Sequence, residues 1–342
     1  MNQDKIRIIK KKDITGFLET LLQEYELFAP VKRKGIIGFE AVDSADKVIL
    51  DYANTVNSAK EAILPQAEVL LSYTSNGDSG GVSVPLDKAK TRVIFGIRPC
   101  DARSVVFLDK VFTNGNSQDP YYQSRRKDMV LVSIGCSKPR MTCFCTSVGG
   151  SPMSTEGSDL MLVDIGDEYA VQVITEKGEK LLAKGNFSDA DEEQLSRMRK
   201  TIADAEKTIE PEISVEGLKD KLDALFNDPI WDSLTEKCLS CGVCTFLCPT
   251  CYCFDIVDET NKEKGKRIRI WDSCQFPLFT LQASGVNPRP TSKERYRQRI
   301  MHKFSYCLDN YGELGCVGCG RCVSQCPVNL DIRTVLKEIQ RA

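Results

Sequence analysis

The sequence is poor in histidine, with one in 342 residues, and has only two tryptophans. A single histidine excludes hydrolytic and metalloprotease sites built on several imidazoles. No apolar run approaches the ~20 residues that cross a bilayer, so the chain reads as one that does not insert into a membrane. The N-terminus, MNQDKIRIIKKKDITGF, starts basic but has no apolar core for a secretory signal. A formal net charge of −2 argues against nucleic acid as a main partner. No G-x-G-x-x-G follows a strand, and the Gly-rich stretch Asn76–Gly81 reads as a polar surface turn. The chain is therefore expected to bind neither NAD(P) nor flavin by itself.

Cysteine is abundant, at sixteen residues, while the 42% hydrophobic content is ordinary for a globular chain with room for two domains. Without a secretory signal the expected location is cytoplasmic. In that reducing setting, clustered cysteines point to metal or catalysis rather than disulfides. Two basic runs, Lys262–Arg269 and Lys293–Lys303, read either as solvated faces or as cationic surroundings for anionic groups.

The first stretch has the pattern of an α/β domain. Asp13 can cap a helix with apolar positions at Ile14, Phe17, Leu18, Leu21, Leu22 and Tyr25. Thr91–Ile97 and Met129–Ile134 read as buried strands, each running into a cysteine, Cys100 or Cys136. Asp101–Phe112 has helical spacing, Leu160–Ile165 and Tyr169–Ile174 suggest a hairpin, and Ser188 is placed to cap a charged helix through about Thr208. Beyond about residue 226 the composition changes, and twelve of the sixteen cysteines follow. The expected organisation is an α/β N-terminal domain (1–225) followed by a mainly α-helical two-cluster ferredoxin domain (226–342), with an insertion containing a helix over Ser292–Asp309.

The strongest motif occurs twice: Cys238-x2-Cys241-x2-Cys244-x3-Cys248-Pro249 and Cys316-x2-Cys319-x2-Cys322-x3-Cys326-Pro327. Two-residue spacers let three thiolates from one loop take three corners of a cubane, while the fourth cysteine reaches the neighbouring cluster. One [4Fe–4S] cluster is therefore assigned to Cys238, Cys241, Cys244 and Cys326, and a second to Cys316, Cys319, Cys322 and Cys248. Gly242, Gly318 and Gly320 suit such tight loops. CxxC pairs also serve zinc, but two full copies closing in Cys-Pro favour iron–sulfur.

The segments WDSLTEKCLSCGVCTFLCPTCYCFDIVD, RIWDSCQF and CVGCGRC resemble the iron–sulfur β subunits of sulfhydrogenases and the iron–sulfur subunits of anaerobic sulfite reductases, with related proteins beside heterodisulfide reductases. FGIRPCDARSVVFLDKVF, DPYYQSRR and CSKPRMTCFC extend the resemblance upstream to about residue 90. It implies a multi-subunit complex of anaerobic metabolism. There the chain would wire a flavin- and NAD(P)H-binding subunit to a catalytic reductase or hydrogenase subunit.

Two further cysteine sets remain. Cys100, Cys136, Cys143 and Cys145 would meet if the two strands are adjacent and parallel, since α/β sheets place ligands at the C-terminal ends of strands. They are candidates for a third cluster, against the alternative of small buried hydrophobes. Cys251, Cys253 and Cys274, with His302 or Cys307 as a fourth ligand, are candidates for a further site. The reading that follows is an electron-transfer subunit with at least two [4Fe–4S] clusters. The alternative is a reductase whose own substrate meets an incompletely ligated cluster near Cys251, Cys253 and Cys274.

Overall fold

The computed structural model describes residues 5–76, 79–86, 90–115 and 118–342. Residues 77 and 78, in the glycine-rich stretch, lie outside the described residues. The strands are β1 (Ile6–Lys10), β2 (Glu26–Arg33), β3 (Ile36–Val42), β4 (Ala67–Asn76), β5 (Ser79–Ser83) and β6 (Arg92–Ile97). They continue as β7 (Val130–Ile134), β8 (Leu160–Asp164), β9 (Glu168–Val173), β10 (Ser188–Asp189), β11 (Phe254–Asn261) and β12 (Lys264–Trp271).

Apolar runs such as RVIFGI and VLVSI suit strands covered on both faces, and both form the middle of an eight-stranded sheet ordered β10-β1-β9-β8-β7-β6-β2-β3. Strands β2, β6, β7 and β8 run parallel, with antiparallel strands at both edges. One face packs on the helix Ile14–Glu24 through Phe17, Leu18 and Leu21. The other packs on Pro99–Thr113 through Ala102, Val105 and Leu108. Because β6 and β7 are parallel neighbours, Cys100 and Cys136 follow their C-terminal ends together.

Three expectations need correction. The helix placed after Ser188 is Glu192–Glu206, and Asp191 caps it. Asp191 accepts from the Gln194 backbone while the Gln194 side chain accepts from the Asp191 N–H, satisfying two end donors where Ser188, in β10, satisfies none. The C-terminal half is helical but not mainly so, because 254–271 is a hairpin. Its β12 pairs with β4 to give a second sheet, β11-β12-β4-β5. The basic run Lys262–Arg269 is thus the hairpin turn and part of β12. Lys264, Lys266 and Arg267 are exposed, whereas Arg269 is buried against Glu68 and Asp119. Alternation of isoleucine with charge over KGKRIRIW is a period-two pattern that composition alone conceals. The helix over Ser292–Asp309 is interrupted: α-helical Ser292–Met301 passes through a π-helical turn, His302–Tyr306, before α-helix resumes at Cys307–Tyr311.

The helices Leu218–Ala224, Ile230–Thr235, Ser292–Met301 and Ile332–Arg341 enclose a core of Trp231, Tyr296, Ile300, Phe304, Leu336 and Ile339. Phe144 and Val148, from the N-terminal cysteine loop, complete it. Among the described residues no helix is long and apolar enough to cross a membrane.

Candidate iron–sulfur centres

Each repeated motif is a loop bent by two left-handed residues. In the first these are Ser240 (φ 52°) and Gly242 (φ 76°), and in the second Gly318 (φ 64°) and Gly320 (φ 72°). A short helix follows each loop, Val243–Phe246 or Arg321–Ser324. The glycines of the second loop also permit contact. A Cβ on Gly318 would lie 2.5 Å from the Cys145 backbone, and one on Gly320 2.5 Å from the Thr142 carbonyl.

Cys238, Cys241, Cys244 and Cys326 line one cavity, with Tyr296, Arg299 and Cys322 also in its wall. Cys241 is exposed, whereas burial pushes the Cys244 thiol up to about 12. The Leu330 N–H donates to Cys326 Sγ at 3.2 Å. Cys316, Cys319, Cys322 and Cys248 are near enough to perturb one another electrostatically, and burial pushes Cys316 to about 11. The Gly318 N–H donates to Cys316 Sγ at 3.5 Å. Thiols so buried ionise only beside compensating positive charge, which bound iron provides.

The electrostatics of the surroundings also suit an anionic group. Lys60, Arg299 and Lys303 are each no more than 5% exposed. Lys303 Nζ donates to Cys248 Sγ at 3.2 Å, Arg299 Nη1 lies 3.6 Å from Cys251 Sγ, and Lys60 Nζ donates to the Cys251 carbonyl at 2.8 Å. Among the described residues none of the three pairs with a carboxylate. Buried cations without an anion cost several kcal/mol each, and thiolate-bound clusters remove that cost. Among the described residues no three Cys, His, Asp or Glu side chains are gathered as a single metal ion requires. Cys238, Cys241, Cys244 and Cys326 line a cavity instead, which fits a cubane better than a single zinc ion.

Cys100, Cys136, Cys143 and Cys145 line a second cavity, together with Arg98, Gly318 and Cys319. Burial raises all four thiols, Cys145 to about 12. Arg98 is 6% exposed and, among the described residues, its Nε has no hydrogen-bond partner, nor do the buried hydroxyls of Thr142 and Thr146, next to Cys143 and Cys145 in the chain. An open guanidinium donor in a wall shared with four cysteines fits a group that offers sulfide acceptors. The same loop rests on the second motif. Phe144 N–H donates to the Gly318 carbonyl at 2.8 Å, and Asn54 Nδ2 to the Cys319 carbonyl at 3.0 Å. Arg321, between Cys319 and Cys322, makes two 2.6 Å contacts to Asp101, the residue after Cys100. Sequence reading missed Arg98, Asp101 and Arg321, and had Lys303 only as the end of a basic run. A charged residue inside or beside a ligand motif was the available signal.

The third set is brought together only in part. Cys253 lies beside Cys274, whose thiol is drawn down against burial by that neighbour and by the Gln275 amide donating to its Sγ at 3.5 Å, and Cys251 lies beside Cys248. His302 turns elsewhere, with Nε2 3.1 Å from Tyr252 Oη, and Cys307 packs in an apolar cluster with Phe107 and Leu108.

A family model described as a 4Fe-4S dicluster domain matches residues 237–330. Sulfhydrogenase 2 subunit beta of Pyrococcus furiosus is 33% identical over 330 residues, covering 95% of this chain and 95% of its own.

Proposed function

This chain belongs to the family of sulfhydrogenase β subunits, and on that premise we propose that it carries three [4Fe–4S] clusters, two in residues 226–342 and one in residues 1–225. It is an iron–sulfur electron-transfer subunit of an oxidoreductase complex, and two of its clusters belong to the dicluster domain. In our reading Cys238, Cys241, Cys244 and Cys326 hold one and Cys316, Cys319, Cys322 and Cys248 the other. Cys100, Cys136, Cys143 and Cys145 hold the third. Once bound, such clusters take up and release one electron each. The residues of this chain space them, exclude water and supply N–H and O–H donors to sulfur.

The observation that carries the third site is the N-terminal cavity. Four cysteines line it, Arg98 in its wall has an Nε without a partner among the described residues, and Cys319 of the second motif shares that wall. The partners in this reading are a flavin- and NAD(P)H-binding protein and a catalytic reductase or hydrogenase, in the cytoplasm. The absence of a nucleotide fingerprint from this sequence and the hydrogenase named in its relative support that arrangement. The pairing of Cys253 with Cys274, near Arg299 and without His302, favours a second reading: a substrate site on this chain.

Anaerobic purification of the full chain, followed by iron and sulfide analysis, tests the proposal. About twelve irons are expected from three cubanes, falling to about eight in C143S/C145S. About eight irons in both proteins would overturn the third site. Reduction of an acceptor by the chain without its flavin partner would favour the second reading.

A further inference from the structure

The π-helical turn at His302–Tyr306 interrupts an otherwise α-helical segment. Such turns are rare, replace i→i−4 hydrogen bonds by i→i−5 ones and are frequent at functional sites. Here the turn carries Lys303, which is 3% exposed. Its Nζ donates to Cys248 Sγ at 3.2 Å, to Thr250 Oγ1 at 3.0 Å and to the Gly315 carbonyl at 2.7 Å. The Gly315 N–H returns a 2.8 Å bond to the Lys303 carbonyl. All three ammonium protons are thus used, and one points at sulfur.

Five buried cationic side chains stand near the paired motifs, and they are not equivalent: Lys60 meets the Cys251 carbonyl at 2.8 Å, and Arg295 donates to Ser240 Oγ of the first loop at 3.1 Å. Arg321 lies between Cys319 and Cys322, but the bidentate contact to Asp101 offsets its charge. Arg299 lies in the wall of the first-motif cavity and also beside Cys251, so it acts on both sides. Lys303 has no carboxylate partner among the described residues and touches only the Cys248 side. The first motif instead has an exposed ligand, Cys241, and its own buried cation, Arg295, meets a loop hydroxyl rather than a sulfur.

Building on the crossed ligand reading above, we propose that Lys303 sets the potential order of the C-terminal pair. Its buried charge and direct N–H···S bond make the group held by Cys248, Cys316, Cys319 and Cys322 the easier of the two to reduce. Reduction adds one negative charge to that group. A fixed cation in a dry site favours the added charge more strongly than water, whose screening weakens every contact at the exposed loop. Lys303 acts through Cys248 and is a positioning residue.

The test is an anaerobic potentiometric titration of the full chain with dithionite, read by EPR, on wild type, K303M, K303Q and K303R. Iron content is measured on each, and C248S and C326S assign the signals. The wild type should show the signal lost in C248S appearing at the higher potential. K303M should lower that signal's reduced-to-oxidised ratio at least tenfold at fixed potential, about 59 mV for one electron, leaving the other unchanged. K303Q, which keeps an N–H donor without the charge, should shift it in the same direction, and K303R should recover most of the loss. Unchanged potentials in K303M or K303Q at full iron content would overturn the proposal, as would equal shifts of both signals. A wrong ligand assignment would show separately, as damage by C248S to the first-motif signal.

Discussion

Replacing Arg321 with methionine removes the most buried ion pair described in the protein, whose side chains are 1% and 2% exposed. The guanidinium contacts both Asp101 oxygens at 2.6 Å, Asn54 Oδ1 at 2.7 Å, and the carbonyl and hydroxyl of Thr55 at 3.0 Å each. Methionine fills similar volume and makes none of these bonds. The main cost is the Asp101 carboxylate left buried without its cation, about 3–5 kcal/mol. Against a total stability of ~5–15 kcal/mol, that is enough to loosen the seam between the N-terminal cysteine loop and the second motif. Changing Asp101 to asparagine as well removes the stranded charge. R321M/D101N should therefore cost only about 1–2 kcal/mol, chiefly the unmet Asn54 and Thr55 groups. Anaerobic urea unfolding of the holoprotein, followed by the fluorescence of Trp231 and Trp271 and by iron–sulfur absorbance, measures the cycle. Strong non-additivity is expected, with the double variant more stable than R321M alone. If the two single costs add, or R321M costs under ~1 kcal/mol, the ion pair does not hold the seam.

In C326S, EPR should show damage to the signal that also depends on Cys238, Cys241 and Cys244; damage confined to the Cys316, Cys319 and Cys322 signal would end the crossed scheme. G318A forces a Cβ to 2.5 Å from the Cys145 backbone, in a left-handed conformation; iron content should fall by about four atoms through loss of the N-terminal site, and an unchanged count would refute the close packing. The His302 imidazole is held near 4 by burial, with Lys303, Arg289 and Arg299 adding to the depression. Between that value and the unfolded value near 6.5 the unfolded chain binds the extra proton, so stability rises with pH through this window and falls on acidification. H302Q should flatten that slope in urea titrations at about pH 5–7, and an identical slope in the variant would rule the histidine out.

Much of the local structure was legible because local rules wrote it. The doubled Cys-x2-Cys-x2-Cys-x3-Cys-Pro spacing is a property of one loop and the turn after it. The runs that became β6 and β7 are apolar along their whole length, as strands covered on both faces must be. The hairpin at 254–271 was missed because alternating arginine and isoleucine looks like a basic run until a partner strand, β4, lies beside it. Distance along the chain hid the rest. Arg321 and Asp101 are 220 residues apart, and no periodicity announces that they meet.

By itself the sequence determined that the chain carries cubane-type thiolate loops, since spacing alone decides which sulfurs one short loop can present. It also determined that Cys100 and Cys136 follow strands. Only the tertiary structure decided that these strands are parallel neighbours and that the 142–145 loop seats on Gly318 and Gly320. Only it aimed a buried lysine at Cys248 and turned His302 toward Tyr252 rather than toward cysteine. The physical reason is that burial, charge compensation and donor geometry belong to surfaces brought together from distant segments. A thiol's surroundings, unlike its spacing, do not exist until those segments close around it.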